Sequence, residues 1–165
     1  MVLSERESQL LDAYAAVWPQ PISRESIDST VELVLDIEGF SPFRIRMLDR
    51  VVPAISSALL KILPFKAHLI HSAWSGSGVR SLEAMKLSDV KADENSTFFP
   101  APGDLCYTVG HDEFTLFYGD ASPAMASGRV RESVFGVIEH DLPSFQQACM
   151  LTRLDGIRKF VLSRA

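Results

Sequence analysis

Cysteine is scarce in this 165-residue chain, and the absences around it remove several classes of function at once. The two cysteines, Cys106 and Cys149, stand far apart and outside any metal-ligand spacing. Neither a disulfide framework nor a zinc site is announced, and two thiols in an acidic chain fit a reducing compartment. Basic residues are outnumbered, 16 against 21 acidic ones, for a net charge of −5. The balance argues against a nucleic-acid binder, which needs a basic face to displace counterions. Apolar runs long enough to cross a bilayer are missing, because a charged residue interrupts each one. Met1 to Leu10 mixes both charge signs and lacks the basic start and apolar centre of a signal peptide, so the expected compartment is the cytoplasm. There is no repeat and no low-complexity tract. Ser75-Gly76-Ser77-Gly78 lacks the Lys-Ser/Thr that would complete a phosphate loop. No metal, cofactor or membrane partner is expected.

What is present suffices for one domain with a real core: 47% of the residues are hydrophobic and 22% charged. Ser4 is placed to cap a helix running to about Val17, with Leu10, Tyr14 and Val17 at helical spacing and Pro19 and Pro21 as its stop. Thr30–Asp36 and Phe43–Leu48 alternate in polarity around the turn Glu38-Gly39, which predicts a hairpin with one wet face. Asp49 is read as the cap of a helix over 51–63. Its buried stripe is Ala54, Ile55, Ala58, Leu59 and Ile62, and Pro64 ends it. Further strands are expected over 67–74, 79–83, 104–109, 113–118, 133–139 and 157–162. A helix over 142–154 ends at Gly156. The spans 84–95 and 119–128 read as loops, the second a mobile one. About eight short strands with two embedded helices predict a mainly β fold closed into an antiparallel barrel, since closure removes exposed strand edges.

Three features carry a resemblance. The order of strand, hairpin, Asp49-x-x-x-Pro53, helix and a strand ending in His71 resembles the front half of a cyclophilin. Glu94-Asn95, Phe99-Pro100-Ala101-Pro102-Gly103-Asp104 and the strand end Phe117-Tyr118-Gly119 are similar to a bacterial cyclophilin-like family of unknown function. The segment His71-Ser72-Ala73-Trp74-Ser75-Gly76 fits the same family. The resemblance covers about 27–165 and implies an eight-stranded antiparallel barrel capped by two helices. Residues 1–26 are then an N-terminal helical extension, whose apolar face packs either on the barrel or on another subunit. Cyclophilins carry an arginine after the matching histidine, and here that position is Ser72. A hydroxyl cannot replace a charged bidentate donor, so prolyl isomerase activity would need Arg44, Arg46 or Arg129 to reach the same place.

The candidate site residues sit near strand ends. His71 is the candidate proton-handling group and Trp74 a stacking wall; structurally, the tryptophan plugs the barrel mouth and the histidine bonds a carbonyl. Glu94 and Asn95 either hold a polar ligand or belong to a solvated loop. Tyr107 and Tyr118 face inward with hydroxyls aimed at the mouth, or simply pack. Arg129, with Arg131, lies on a loop that closes over an anion or is merely solvated. Glu113 is expected to be exposed, Cys106 to face away from Tyr107, and His68 and His71 to share no metal. The functional expectation is a small polar metabolite bound at the barrel mouth, with or without catalysis. The alternatives are a prolyl isomerase or proline-peptide module, and an oligomeric interaction protein.

Overall fold

The computed structural model describes residues 4–17, 22–24, 29 and 31–165. Helix α1 spans Glu5–Val17. Its first turn closes a capping box. Glu7 N donates to Ser4 Oγ at 3.3 Å, and the Glu7 carboxylate accepts from the Ser4 backbone and hydroxyl, both at 2.7 Å. Leu10 is exposed, and the side chains of Tyr14 and Val17 lie outside the described residues, as do Pro19 and Pro21.

The strands are β1 Glu32–Ile37, β2 Phe43–Met47, β3 Phe65–His71, β4 Gly76–Ser81, β5 Ser96–Thr97, β6 Asp104–Thr108, β7 Glu113–Ala121, β8 Ala124–Met125, β9 Gly128–Arg129, β10 Glu132–Ile138 and β11 Arg158–Arg164. Eight of them form a closed antiparallel barrel in the order β2-β1-β11-β3-β4-β7-β6-β10, sealed where β10 pairs with β2. β5 adds to the β10 edge, and β8–β9 is a separate two-stranded hairpin. Alternation sets the faces. Leu33, Leu35 and Ile37 of β1 and Ile45 and Met47 of β2 are fully buried, while Arg44 of β2 points outward. The rings of Phe65, Phe114, Phe135 and Phe160 pack edge-on or tilted, 5.4–6.5 Å between centroids, and fill the interior.

Helix α2, Pro53–Ile62, follows the Met47 end of β2 and buries Ile55, Ser56, Ala58 and Leu59. Helix α3, Leu142–Asp155, lies over β3, β4 and β7 and sets Phe145 edge-on against Phe43, 5.7 Å between centroids. The two helices therefore close opposite ends of the barrel. Gly156, φ 105°, ends α3 in a conformation costly for any other residue.

Four sequence expectations are corrected. Asp49 does not cap α2, whose N-cap is Val52 with no side-chain bond. Glu94, remote in sequence, takes that part: its carboxylate accepts from Ala54 N at 3.0 Å and Ile55 N at 2.9 Å. Ala54 faces solvent. Ser75-Gly76-Ser77-Gly78 is not a free tip, because β4 begins at Gly76, φ 77°, where a Cβ would lie 2.8 Å from the Asp120 carbonyl. The span 119–128 is no plain loop either, since β7 runs on to Ala121 and β8 follows.

Candidate functional site

Ile70, Arg80 and Thr115 sit side by side on β3, β4 and β7. They face away from Leu69, Val79 and Leu116, which the interior buries completely. A cleft of about 620 Å³ opens over this outer face. One side is the turn His71-Ser72-Ala73-Trp74-Ser75, and the other is the segment Ala124-Met125-Ala126-Ser127. The hairpin β8–β9 is held there by Ser75, whose hydroxyl accepts from Ala124 N at 3.3 Å and whose carbonyl accepts from Ser122 N at 3.1 Å. Trp74 is 63% exposed at the rim. The cleft is thus on the barrel wall beside the strand ends; the mouth itself is filled by core side chains and α3.

The charged part of the lining is a pair that the sequence did not announce. Arg80 Nη1 donates to Glu113 Oε1 at 2.7 Å. Glu113 is only 16% exposed, against the expectation for a hairpin tip, because Arg80 of the neighbouring strand covers it. The alternation Val79-Arg80-Ser81 puts Arg80 on the outer face, but meeting Glu113 depends on the β4–β7 register.

At the α3 end of the barrel, His71 Nε2 and the Tyr118 hydroxyl are 2.9 Å apart. Gln146 of α3 donates to the Tyr118 carbonyl at 2.9 Å. Partial burial lowers the His71 pKa from its ordinary value, and the positive charge of Arg153 lowers it further. The imidazole is therefore neutral at neutral pH, with one ring nitrogen able to accept a proton. Near the other end, Tyr107 donates to Asp112 Oδ1 at 2.8 Å, and burial raises its pKa to about 12. The two tyrosines face inward, but their hydroxyls are at opposite ends of the barrel.

The remaining sequence candidates are engaged elsewhere. Glu94 caps α2. Asn95, φ 45°, holds residue 23 through a reciprocal pair of bonds, Ser23 N to Oδ1 and Nδ2 to the Ser23 carbonyl, each 2.8 Å, and donates to the Val134 carbonyl at 2.9 Å. The Arg129 guanidinium lies over the Phe99 ring, 5.8 Å from its centroid. Of the residues nominated from sequence, the structure sets Trp74 at the rim of the cleft and His71 at its border, with the His71 imidazole turned to the inner side of β3, where it meets Tyr118. It does not bring Glu94, Asn95, Tyr107 or Arg129 into the lining. His68 pairs with Glu83, Nδ1 to Oε1 at 2.6 Å, apart from His71. Cys106 is fully buried and its thiol pKa is pushed well up by burial, so it is inert. Among the described residues no cluster of histidine, cysteine or carboxylates could hold a metal.

A further buried carboxylate escaped the sequence reading. Glu132 is 2% exposed on the outer face, and its Oε2 accepts from the Thr108 and Thr115 hydroxyls, each at 2.9 Å. Burial raises its pKa to about 8, against the lowering effect of the two hydroxyls.

Residues 33–164, nearly the whole barrel, match the family model described as "Protein of unknown function (DUF3830)". The chain belongs to the DUF3830 family. No functionally curated protein matches it significantly. Among solved structures, the hypothetical protein AF2241 from Archaeoglobus fulgidus is 19% identical, with a TM-score of 0.55 over 82% of this chain and 95% of that one. McbB, solved in complex with tryptophan, is 13% identical, with a TM-score of 0.59 over 80% of this chain and 44% of that one. At these identities the likeness is one of fold. No described helix is long and apolar enough to cross a membrane.

Proposed function

We propose that this DUF3830 member binds a small metabolite in the Trp74 cleft, with His71 as the group that handles a proton if the bound molecule is transformed. The observation that carries the reading is the cleft itself: one cavity of about 620 Å³ bounded by an exposed indole, a histidine, serines and an Arg–Glu pair. Its size falls within the usual range for small-molecule sites, and its mix of apolar wall and few polar groups is theirs too. The His71–Tyr118 contact lies on the inner side of β3, at the strand end that borders the cleft, and it supports proton handling there, because a neutral imidazole bonded to a phenol can take up a proton or pass one on. The tryptophan complex of McbB, a protein of similar fold, supports an aromatic or amino-acid-like occupant. The buried free thiols Cys106 and Cys149 agree with a reducing, cytoplasmic setting.

A second reading, the proline-peptide module, draws on Arg80, which brings to the cleft the guanidinium missing at Ser72. Its pairing with Glu113 weakens that reading, because the charge is already opposed.

A thermal-shift screen of the whole protein against small carboxylates, amides, amino acids and cyclic imides tests the proposal. A ligand of the folded state must raise Tm by mass action. The expected result is a hit whose shift disappears in Trp74→Ala and is changed in His71→Ala. Hits indifferent to both substitutions would sink the site assignment, and a proline-containing peptide as the sole hit would favour the second reading.

A further inference from the structure

The floor of the cleft is electrically neutral but locally divided. Arg80 and Glu113 share one contact, Nη1 to Oε1 at 2.7 Å, and among the described residues it is the one hydrogen bond either side chain makes. It occupies one of the five guanidinium N–H donors and one of the two carboxylate oxygens. Arg80 remains 37% exposed, so the free edge of its fork still reaches the cleft. Such a monodentate pair is a receptor for a second, complementary pair of charges.

The charge pattern discriminates. A ligand bearing only a carboxylate would meet Arg80 with Glu113 held 2.7 Å beside it, and the two carboxylates would repel. A ligand bearing only an ammonium would gain from Glu113 and lose to Arg80. A molecule carrying both charges on neighbouring atoms satisfies both partners. Above this floor the lining turns apolar and flat, with Ile70, Met125 and the Trp74 indole. A flat or large apolar group has its place there.

We infer that the cleft selects a zwitterionic α-amino acid with an aromatic or large apolar side chain. Its carboxylate takes the free edge of Arg80, its ammonium takes the second oxygen of Glu113, and its side chain lies against Trp74 and Met125. The inference rests on the small-molecule reading of the same cleft and narrows its occupant to a zwitterion read by the Arg80–Glu113 pair.

Three probes of matched ring size test it by calorimetry on the full chain: L-phenylalanine, 3-phenylpropionate without the ammonium, and 2-phenylethylamine without the carboxylate. L-Phenylalanine is expected to bind at least tenfold more tightly than either. Glu113→Gln should weaken L-phenylalanine at least tenfold while tightening 3-phenylpropionate, because the opposing carboxylate is gone. A variant that had merely lost its fold would weaken every probe, so the opposite signs identify charge selection. Equal affinity for L-phenylalanine and 3-phenylpropionate overturns the inference, as does a Glu113→Gln variant that binds L-phenylalanine unchanged. If all three probes fail while another compound gives a Trp74-dependent shift, the amino-acid class falls and the cleft reading stands. If no compound depends on Trp74, both fall.

Discussion

Glu132 shows how far one residue's chemistry can depart from its place in the sequence. A glutamate opening a strand reads as a solvated edge; here it is buried between two threonines, and its pKa rises to about 8. The folded pKa lies above the ordinary value of 4.5, so the fold favours the protonated acid. The associated stability is fully present below pH 4.5 and is lost as pH rises towards 8. At pH 7 the cost of keeping the proton is on the order of 3 kcal/mol, about 1.4 kcal/mol per unit of separation. Glu132→Gln keeps a neutral group that can face both hydroxyls and removes this cost. Its Tm at pH 7.5 is expected to exceed that of the parent, and the difference should shrink as the pH approaches 5. Melting curves between pH 5 and 8 check it; a Tm below the parent's at every pH would show that the carboxyl group is a net stabiliser.

At the scale of elements, α2 is the clearest case of a segment whose existence is local and whose cap is not. Its apolar spacing and Pro53 are legible from the sequence, and the observed helix lies within the expected span. Its cap is not legible there, because the nearest polar side chain, Asp49, is the only partner that sequence proximity offers, and it makes no cap bond. Glu94 supplies it from 40 residues away, accepting from two backbone N–H groups at the positive end of the helix. Glu94→Ala is expected to cost about 1 kcal/mol, the usual worth of a helix cap. Asp49→Ala should cost less than Glu94→Ala; chemical denaturation of both variants gives the comparison. The same logic explains Asn95, read as part of a ligand site or a solvated loop and found clamping residue 23 to the barrel. A polar side chain near an apolar run carries no sequence mark of whether it will meet a ligand or a distant strand.

For the whole molecule, the decisive feature is closure. β10 pairs with β2 over Gly136, Val137 and Ile138, and this short seam completes the barrel. Gly136 sits there because a Cβ would lie 2.9 Å from Ile45 Cγ2, an atom fully buried and unable to swing aside. Gly136→Val is therefore expected to destabilise the protein by about 1–3 kcal/mol, as overpacking does, and to speed amide exchange at Met47 and Val137 ahead of β1 or β11. Exchange that rises uniformly would mean that the seam does not open separately. Near the same end of the barrel, buried Asp104 accepts Ala101 N at 2.7 Å and both Nε and Nη2 of Arg24, so the Pro-Gly turn before β6 is tied to the chain upstream of the barrel. The local half of that lock was legible in Pro100-Ala101-Pro102-Gly103-Asp104; the arginine was not.

Polarity alternation and turn residues are properties of neighbouring positions, so the sequence by itself determined the eight barrel strands, the two capping helices, the inward set Leu33, Leu35, Phe43 and Ile45, and hence the barrel, but not the short strands β5, β8 and β9. Proximity also made His71 and Trp74 legible as one group, since a single strand end carries both. Register decided the rest. A one-residue slip between β4 and β7 would separate Arg80 from Glu113, and no local pattern encodes that pairing. Tertiary structure alone moved the cleft from the barrel mouth to its outer wall, because the large core side chains and α3 fill the space that the closed strands would otherwise leave open.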